Sequence, residues 1–215
     1  CNPAVDPQLF GFIRSYGAGV SIGCGSSNGP TAVAPGIHTA SETPDPNWTL
    51  TSIVCNDLNS TGGGFTATFQ VEPGETVTCT FTNVKKGTVI IVKDAVPNDP
   101  VQDFSFTCSG GIGTFTLDDD ADLTFSNTGT FTQITPGIIS CVENGPPGGW
   151  TLFSATCSDG SPPGSISLQP GETVTCTFVN HKLGKIIIDK VTTPSADAQL
   201  FNFTVTGTTP CSPPG

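Results

Sequence analysis

Pro73-Gly-Glu-Thr-Val-Thr-Cys-Thr-Phe81 recurs unchanged as Pro170 to Phe178, and Asn follows each copy two residues later, as Asn83 and Asn180. Pro-Gly is a turn signal, and the run behind it alternates Thr with Val, Cys, Phe and Asn, the period of two that marks a half-buried β-strand. Around each copy the same signals return in the same order: Pro35-Gly-Ile and Pro136-Gly-Ile, Glu42 and Glu143, Trp48-Thr-Leu and Trp150-Thr-Leu, Cys55-Asn-Asp and Cys157-Ser-Asp. The chain is therefore built from repeats. Each copy leads into a Lys/Gly junction and an apolar run ending in Lys, Gly87 to Lys93 and Gly184 to Lys190. The first such run precedes the second repeat and the other precedes a third repeat that is never completed. No such run precedes the first repeat.

Composition agrees with an all-β chain. In 215 residues there are 26 Gly and 19 Pro, only 12% of residues are charged, and the β-branched and aromatic residues fall in short runs between turn clusters; no helical period is visible. Nine cysteines with no CxxC pair, and only two histidines, argue for disulfides formed in an oxidising compartment, hence an extracellular or cell-surface protein. The lack of an initiating Met or signal peptide reads as a mature or excised piece. A net charge of −11 disfavours nucleic acid and anionic membranes as partners, and no apolar run is long enough for membrane insertion.

All six lysines lie in the two junctions. Strand parity puts Val89, Ile91 and Lys93 on one face, Ile186, Ile188 and Lys190 on one face, and Val77, Cys79, Phe81 and Asn83 on one face, with the same for Val174, Cys176, Phe178 and Asn180. Asp189 opposes the second Lys-bearing face, so Lys and Asn both point inward. A Lys, an Asn and a Glu at the end of another strand (Glu42 or Glu143) are costly in a small core unless they engage one another. Desolvation drives a buried Lys toward the neutral amine and a buried Glu toward the protonated acid. That combination allows the amine to attack the Asn carboxamide with loss of ammonia, giving a Lys-Asn isopeptide. A hydrogen-bonded cluster with no crosslink fits the same residues.

The order Lys93, then Glu143 before Gly-Pro-Pro-Gly-Gly-Trp150, then Asn180 resembles the Cna B-type or SpaA-type prealbumin-like (transthyretin-like) repeats of bacterial pilins and surface adhesins. The resemblance covers nearly the whole chain. It implies tandem Ig-like, seven-stranded sandwiches arranged head to tail, each with its first and last strands side by side and its ends at opposite poles. It departs in cysteine, which the best-known members have little of. The expected organisation is a first repeat lacking its first strand (1–84), a complete second repeat (85–182), and a C-terminal strand segment (183–215) that is either donated to a neighbour or opens a truncated third repeat.

Repeat position pairs Cys55 with Cys79 and Cys157 with Cys176, and leaves Cys108 with Cys141 as a third pair on neighbouring strands. Cys1, Cys24 and Cys211 remain; they form inter-subunit bonds, or Cys1 bridges Cys24 within the chain. An open groove beside the last strand of the first repeat calls for a partner strand. Gly184 to Val191, with Ile186, Ile187, Ile188 and Lys190, has the right pattern, and strand addition to a sheet edge is an established binding mode. Donation to the next copy does not close on itself, so it builds a filament, a homopolymer in which Lys190 of one copy meets Asn83 and Glu42 of the next. The competing expectation is an excerpt of a long tandem-repeat adhesin or stalk. Asn59, Asn47 and Asn202 fit the N-glycosylation acceptor. The acidic loop at Asp118, Asp119, Asp120 and Asp122 lacks the Gly and distal Glu of a calcium site, and His38 and His181 share no motif, so no metal or cofactor is expected. No nucleophile, base and orienter occur together, so an enzyme acting on an external substrate is not expected.

Overall fold

The computed structural model describes residues 1–98, 101–119, 124–193, 199–204 and 206. The chain divides into two units, Cys1–Leu183 and the segment from Gly184 onward. The first unit holds both repeats. Its described residues form strands, with one 3-10 turn at Pro163–Ser165 and no α-helix.

In the first repeat the strands are β1 (Leu9–Arg14), β2 (Val20–Gly23), β3 (Gly36–Glu42), β4 (Trp48–Cys55), β5 (Thr61–Gly63), β6 (Thr66–Val71) and β7 (Cys79–Lys85). In the second they are β8 (Gly87–Val96), β9 (Phe104–Cys108), β10 (Gly113–Leu117), β11 (Thr128–Ile134), β12 (Gly137–Ile139), β13 (Cys141–Glu143), β14 (Trp150–Cys157), β15 (Ile166–Leu168) and β16 (Thr173–Lys182). The second repeat is a sandwich whose larger sheet runs β11-β8-β16-β14, faced by β10-β9-β13 and the small pair β12-β15. Its first and last strands, β8 and β16, pair in parallel from Thr88 opposite Thr173 to Val96 opposite His181. Parallel neighbours bring the chain in at one end of the sheet and out at the other.

That central pair organises the core. Burial alternates along β8, and Val89, Ile91, Val174, Cys176 and Phe178 interdigitate with Phe104, Phe106 and Ile166 from the opposite layer. Edge-to-face contacts join Phe106 to Phe178 at 5.1 Å and Phe104 to Trp150 at 5.5 Å, the geometry that aromatic quadrupoles favour.

The first repeat runs β2-β1-β3-β6-β5 in one sheet but only β4-β7 in the other. β7 pairs with β4 along one edge. Along the other its ladder is one parallel bridge, Asn2 with Val84. Two elements of the second repeat have no counterpart: the lead strand, and the strand that pairs with its outer edge, since residues 26–35 form no strand. A strand needs a partner to satisfy its backbone groups, so Thr76–Thr78 stay outside β7 although the identical residues Thr173–Thr175 belong to β16. Burial differs in the same way. Val174, Cys176 and Phe178 are buried, whereas Val77, Cys79 and Phe81 are only partly so. Apart from the small Ala40 and Ala67, the buried hydrophobic residues of this repeat shrink to a cluster of Phe10, Phe12 and Trp48.

Among the described residues there are four disulfides. Cys55–Cys79, Cys157–Cys176 and Cys108–Cys141 each join residues directly opposite one another in an antiparallel ladder. The fourth joins Cys1 to Cys24. Of the two alternatives for these thiols this is the intrachain one, and it corrects the inter-subunit one: the Asn2–Val84 bridge carries Cys1 back against the first repeat, within bonding distance of Cys24 just beyond β2. Cys211 lies outside the described residues.

The identical residues Phe178 and Phe81 should respond unequally to truncation. Phe178→Ala should cost about 3–5 kcal/mol and Phe81→Ala roughly 1–2 kcal/mol. Urea unfolding followed by Trp150 fluorescence in a Trp48→Phe background, and by Trp48 in a Trp150→Phe background, separates the repeats. Equal losses would mean that the first repeat is as well packed as the second.

Candidate functional site

Lys93 sits near the C-terminal end of β8 with its side chain turned inward, 1% exposed. In the parallel ladder Phe178 lies opposite Lys93 and Asn180 opposite Ala95. The Lys93 ammonium nitrogen donates to the carbonyls of Asp94 at 2.7 Å and Phe178 at 3.3 Å, and lies 4.1 Å from the centre of the Phe104 ring. Asn180, fully buried, donates its amide nitrogen to Oε1 of Glu143 at 2.8 Å, from the end of β13 in the facing sheet. The structure thus gathers Lys93, Glu143 and Asn180 at one end of the second sandwich.

The cluster is not fully satisfied. Glu143 Oε2 and Asn180 Oδ1 are buried without a hydrogen-bond partner, an unusual state for two acceptors in a protein interior. Burial pushes the Glu143 carboxyl up from its ordinary value, against the charge of Lys93 and the hydrogen bond from Asn180. Burial pushes Lys93 down, against the charges of Glu143, Asp94 and Asp119. Both shifts favour the uncharged forms, a nucleophilic amine beside a carboxylic acid. Phe104 is the member that sequence reasoning overlooked. The signal was present in the repeated Phe-x-Phe of Phe10-Gly-Phe12 and Phe104-Ser-Phe106, whose parity places both rings inward.

The first repeat holds two thirds of the same arrangement. Asn83 donates to Glu42 Oε2 at 2.9 Å, and both residues are buried. Burial raises the Glu42 carboxyl, against the Asn83 hydrogen bond and, less strongly, the charge of the chain's α-amino group. The slot corresponding to Lys93, opposite Phe81, has no strand in it. Lys190, at the matching repeat position, belongs to the separate C-terminal unit. In that unit Ile186 and Ile187 are 92% and 90% exposed, Gly184 has open space around its α-carbon, and Lys190 lies 4.3 Å from the Phe201 ring centre.

A family profile described as a prealbumin-like fold domain matches residues 13–85 and again residues 89–182. The chain belongs to this family. The two matched stretches are the two repeats, so each is a prealbumin-like domain. No curated protein matches the chain by sequence. Similar solved structures include the major pilin of Streptococcus pyogenes, 14% identical over 82% of this chain and 92% of that one, with a TM-score of 0.31. They also include the minor pilin of Streptococcus agalactiae (12%, 86% and 87%, 0.33) and a C-terminal fragment of a pilus adhesin from Lactobacillus rhamnosus GG (14%, 87% and 94%, 0.34).

The acceptor asparagines are scattered across these domains. Asn59 and Asn47 are exposed in the first repeat, the former donating to Glu72 at 3.4 Å, and Asn202 is exposed in the C-terminal unit. Among the described residues no cluster of His, Cys, Asp or Glu has the arrangement of a metal site.

The two pKa shifts predict opposite pH dependences. The folded state binds fewer protons at Lys93 than the unfolded chain does, so stability rises with pH in the window just below 10.5. The raised Glu143 and Glu42 bind more, so stability falls as pH climbs above 4.5. In Asn180→Ala, which keeps the amine, urea midpoints should show both slopes. Lys93→Met should keep the acid-side slope and lose the alkaline one, and an unchanged alkaline slope would mean that Lys93 is not its source.

Proposed function

We propose that this chain is a structural subunit of an extracellular, bacterial-type filament or pilus, polymerising head to tail by strand donation from its C-terminal segment into the first repeat of the next copy. The observation that carries this reading is the contrast between two copies of one nine-residue run: β16 is completed by β8, whereas in the first repeat Thr76–Thr78 bond only to Asn56 and have no partner strand on their other side. Its groove has a defined length. Asn2 bridges Val84 at the position where Val96 faces His181, so the slots of Gly87 to Asp94 stand open and those of Ala95 and Val96 are taken. Gly184 to Val191 is an eight-residue match to those open slots. Carried over from the second repeat, the register sets Ile186 opposite Val77, Ile188 opposite Cys79, and Lys190 opposite Phe81. Burying the two inward-facing isoleucines, Ile186 and Ile188, in this way is worth about 1.5–3 kcal/mol each before the cost of association.

The same geometry supports covalent reinforcement. Within the second repeat, the neutral Lys93 amine attacks Cγ of Asn180. The new C–N bond replaces the bond to the amide nitrogen, which leaves as ammonia with a proton passed from the amine through Glu143. Between copies, Lys190 takes the part of Lys93, with Asn83 and Glu42 as its counterparts. The disulfides add to this reinforcement. The reaction is a single turnover on the protein itself, and the partners are further copies of the chain.

A second reading is a longer tandem-repeat adhesin or stalk in which chain on the N-terminal side of Cys1 fills the groove. The parallel Asn2–Val84 bridge favours it, because residues 1–2 already lie in line with the missing strand.

Intact-mass measurement after reduction should find the second repeat lighter by one ammonia, and Glu143→Ala should restore the full mass. Boiling in detergent with reductant should leave a ladder spaced by the 22.0 kDa subunit. Asn83→Ala should abolish the ladder but not the filaments, whereas Ile188→Asp should abolish both. A chain that stays monomeric at every concentration would exclude strand donation.

A further inference from the structure

The joint between the two repeats is short. Only Lys86 separates β7 from β8, and the repeats meet at a turn of the second, Leu168-Gln-Pro-Gly-Glu172. There the Gly171 amide donates to the Lys85 carbonyl at 3.2 Å, the Thr88 amide donates to the Glu172 carbonyl at 2.8 Å, and the Lys86 amide donates to the Asn47 carbonyl at 2.8 Å. The fit is close enough to dictate residue type. A Cβ on Gly87 would lie 2.8 Å from the Glu172 carbonyl oxygen and 2.9 Å from Leu168, and one on Gly171 would lie 3.0 Å from the Lys85 side chain. The former is an overlap that the backbone would have to move to relieve.

Each half of this joint occurs a second time in the chain, without its counterpart. The turn recurs in the first repeat as Val71-Glu-Pro-Gly-Glu75, folded by the same bonds. Glu72 N donates to Glu75 Oε2 at 2.8 Å, as Gln169 N does to Glu172 Oε2 at 2.7 Å. Glu75 N donates to the Glu72 carbonyl at 3.2 Å, as Glu172 N does to the Gln169 carbonyl at 3.1 Å. Gly74 and Gly171 share a positive φ, 82° and 74°. The linker recurs as Lys182-Leu-Gly-Lys185, in place of Lys85-Lys-Gly-Thr88. Yet a Cβ on Gly74 or on Gly184 would meet nothing within 4 Å. The positive φ of Gly74 requires glycine in any case, but Gly184, the counterpart of Gly87, is kept where, within one chain, neither its φ nor a neighbour requires it.

We propose that the internal joint is repeated between chains: Lys182 to Lys185 of one copy seats on the Val71–Glu75 turn of the next. The Gly74 amide then donates to the Lys182 carbonyl, the Lys185 amide donates to the Glu75 carbonyl, and Gly184 packs against the Glu75 carbonyl and Val71. The occupant is a second copy of this chain, and charge supports that choice. Where the internal joint sets Thr88 against a turn carrying Gln169 and Glu172, the joint between chains sets Lys185 against Glu72 and Glu75. Two of the four departures from the internal copy, Lys185 for Thr88 and Glu72 for Gln169, bring opposite charges together, while Leu183 for Lys86 and Val71 for Leu168 add none. The surface lies at the mouth of the groove, so it fixes how far the donated strand enters and in which register. The inference rests on the strand-donation reading and goes beyond it by assigning the contact that positions the subunits.

The test is Gly184→Val in the full chain, with assembly read by sedimentation velocity and electron microscopy. A β-branched residue suits a strand and meets open space in the single chain, so the melting temperature should not change while filament formation is lost. Gly87→Val, the same change in the internal joint, should instead lower the melting temperature. In assembled wild-type protein, hydrogen exchange at the Gly74 and Lys185 amides should slow relative to the unassembled chain. Filaments from Gly184→Val equal to wild type would overturn the inference. If Ile188→Asp still abolished filaments in that case, strand donation itself would stand. Failure of the wild-type chain to assemble would overturn both.

Discussion

The parallel pairing of β8 with β16 is the contact on which the remaining structure depends. It joins the first and last strands of a domain, so the domain is closed only when its two most distant segments meet. Every apolar residue on the inward face of β16 owes its burial to that meeting, as does the alternation along β8. The first repeat lacks this pairing and is looser for it. Its last strand, built on the same nine-residue run, is shortened, residues 26–35 form no outer strand, and the buried hydrophobic cluster contracts to three aromatic side chains. A parallel pair cannot be closed by a tight turn, so whatever completes such a sheet is remote in sequence. That makes it replaceable by a strand from elsewhere.

The buried polar cluster depends on the same pairing. Lys93 reaches the Phe178 carbonyl because the ladder sets the two residues opposite each other, and Asn180, two residues on, reaches across to Glu143. Ionised groups in such a place would be a liability. The cost of desolvation shifts Lys93 down and Glu143 up, both toward their neutral forms, beside a carboxamide with an unpaired oxygen. Glu42 and Asn83 keep the same relation with the amine missing. The cluster is thus assembled from two directions, the Glu-Asn pair by local folding and the Lys by the strand that closes the sheet.

Much of this was legible in the residues. Alternation in Pro-Gly-Glu-Thr-Val-Thr-Cys-Thr-Phe marks a strand and turns its Asn inward, and the Lys at the end of an apolar run has only one face that avoids Asp189. What local pattern could not convey is that nine identical residues adopt two degrees of order, because a strand's existence depends on a partner that its own sequence does not contain. For the same reason the loss of a strand at residues 26–35 was hidden, since its partner is the missing strand rather than anything nearby. The Asn2–Val84 bridge was hidden too, and the Cys1–Cys24 bond was only one of two alternatives. Neither has a counterpart in the second repeat, and repeat logic is silent about what occurs once.

The direction of the chain through the second domain also decides how it would respond to a pull on its two ends. It enters the sheet at Gly87 and leaves at Lys182, at opposite ends of two adjacent parallel strands. Tension along the backbone therefore pulls β8 and β16 past one another along their length. Nine facing residue pairs, Thr88–Thr173 through Val96–His181, then resist together instead of being unzipped in turn. The Cys157–Cys176 bond prevents β16 from parting with its other neighbour, β14. Strands arranged in this way form a tether that gives little until it gives altogether.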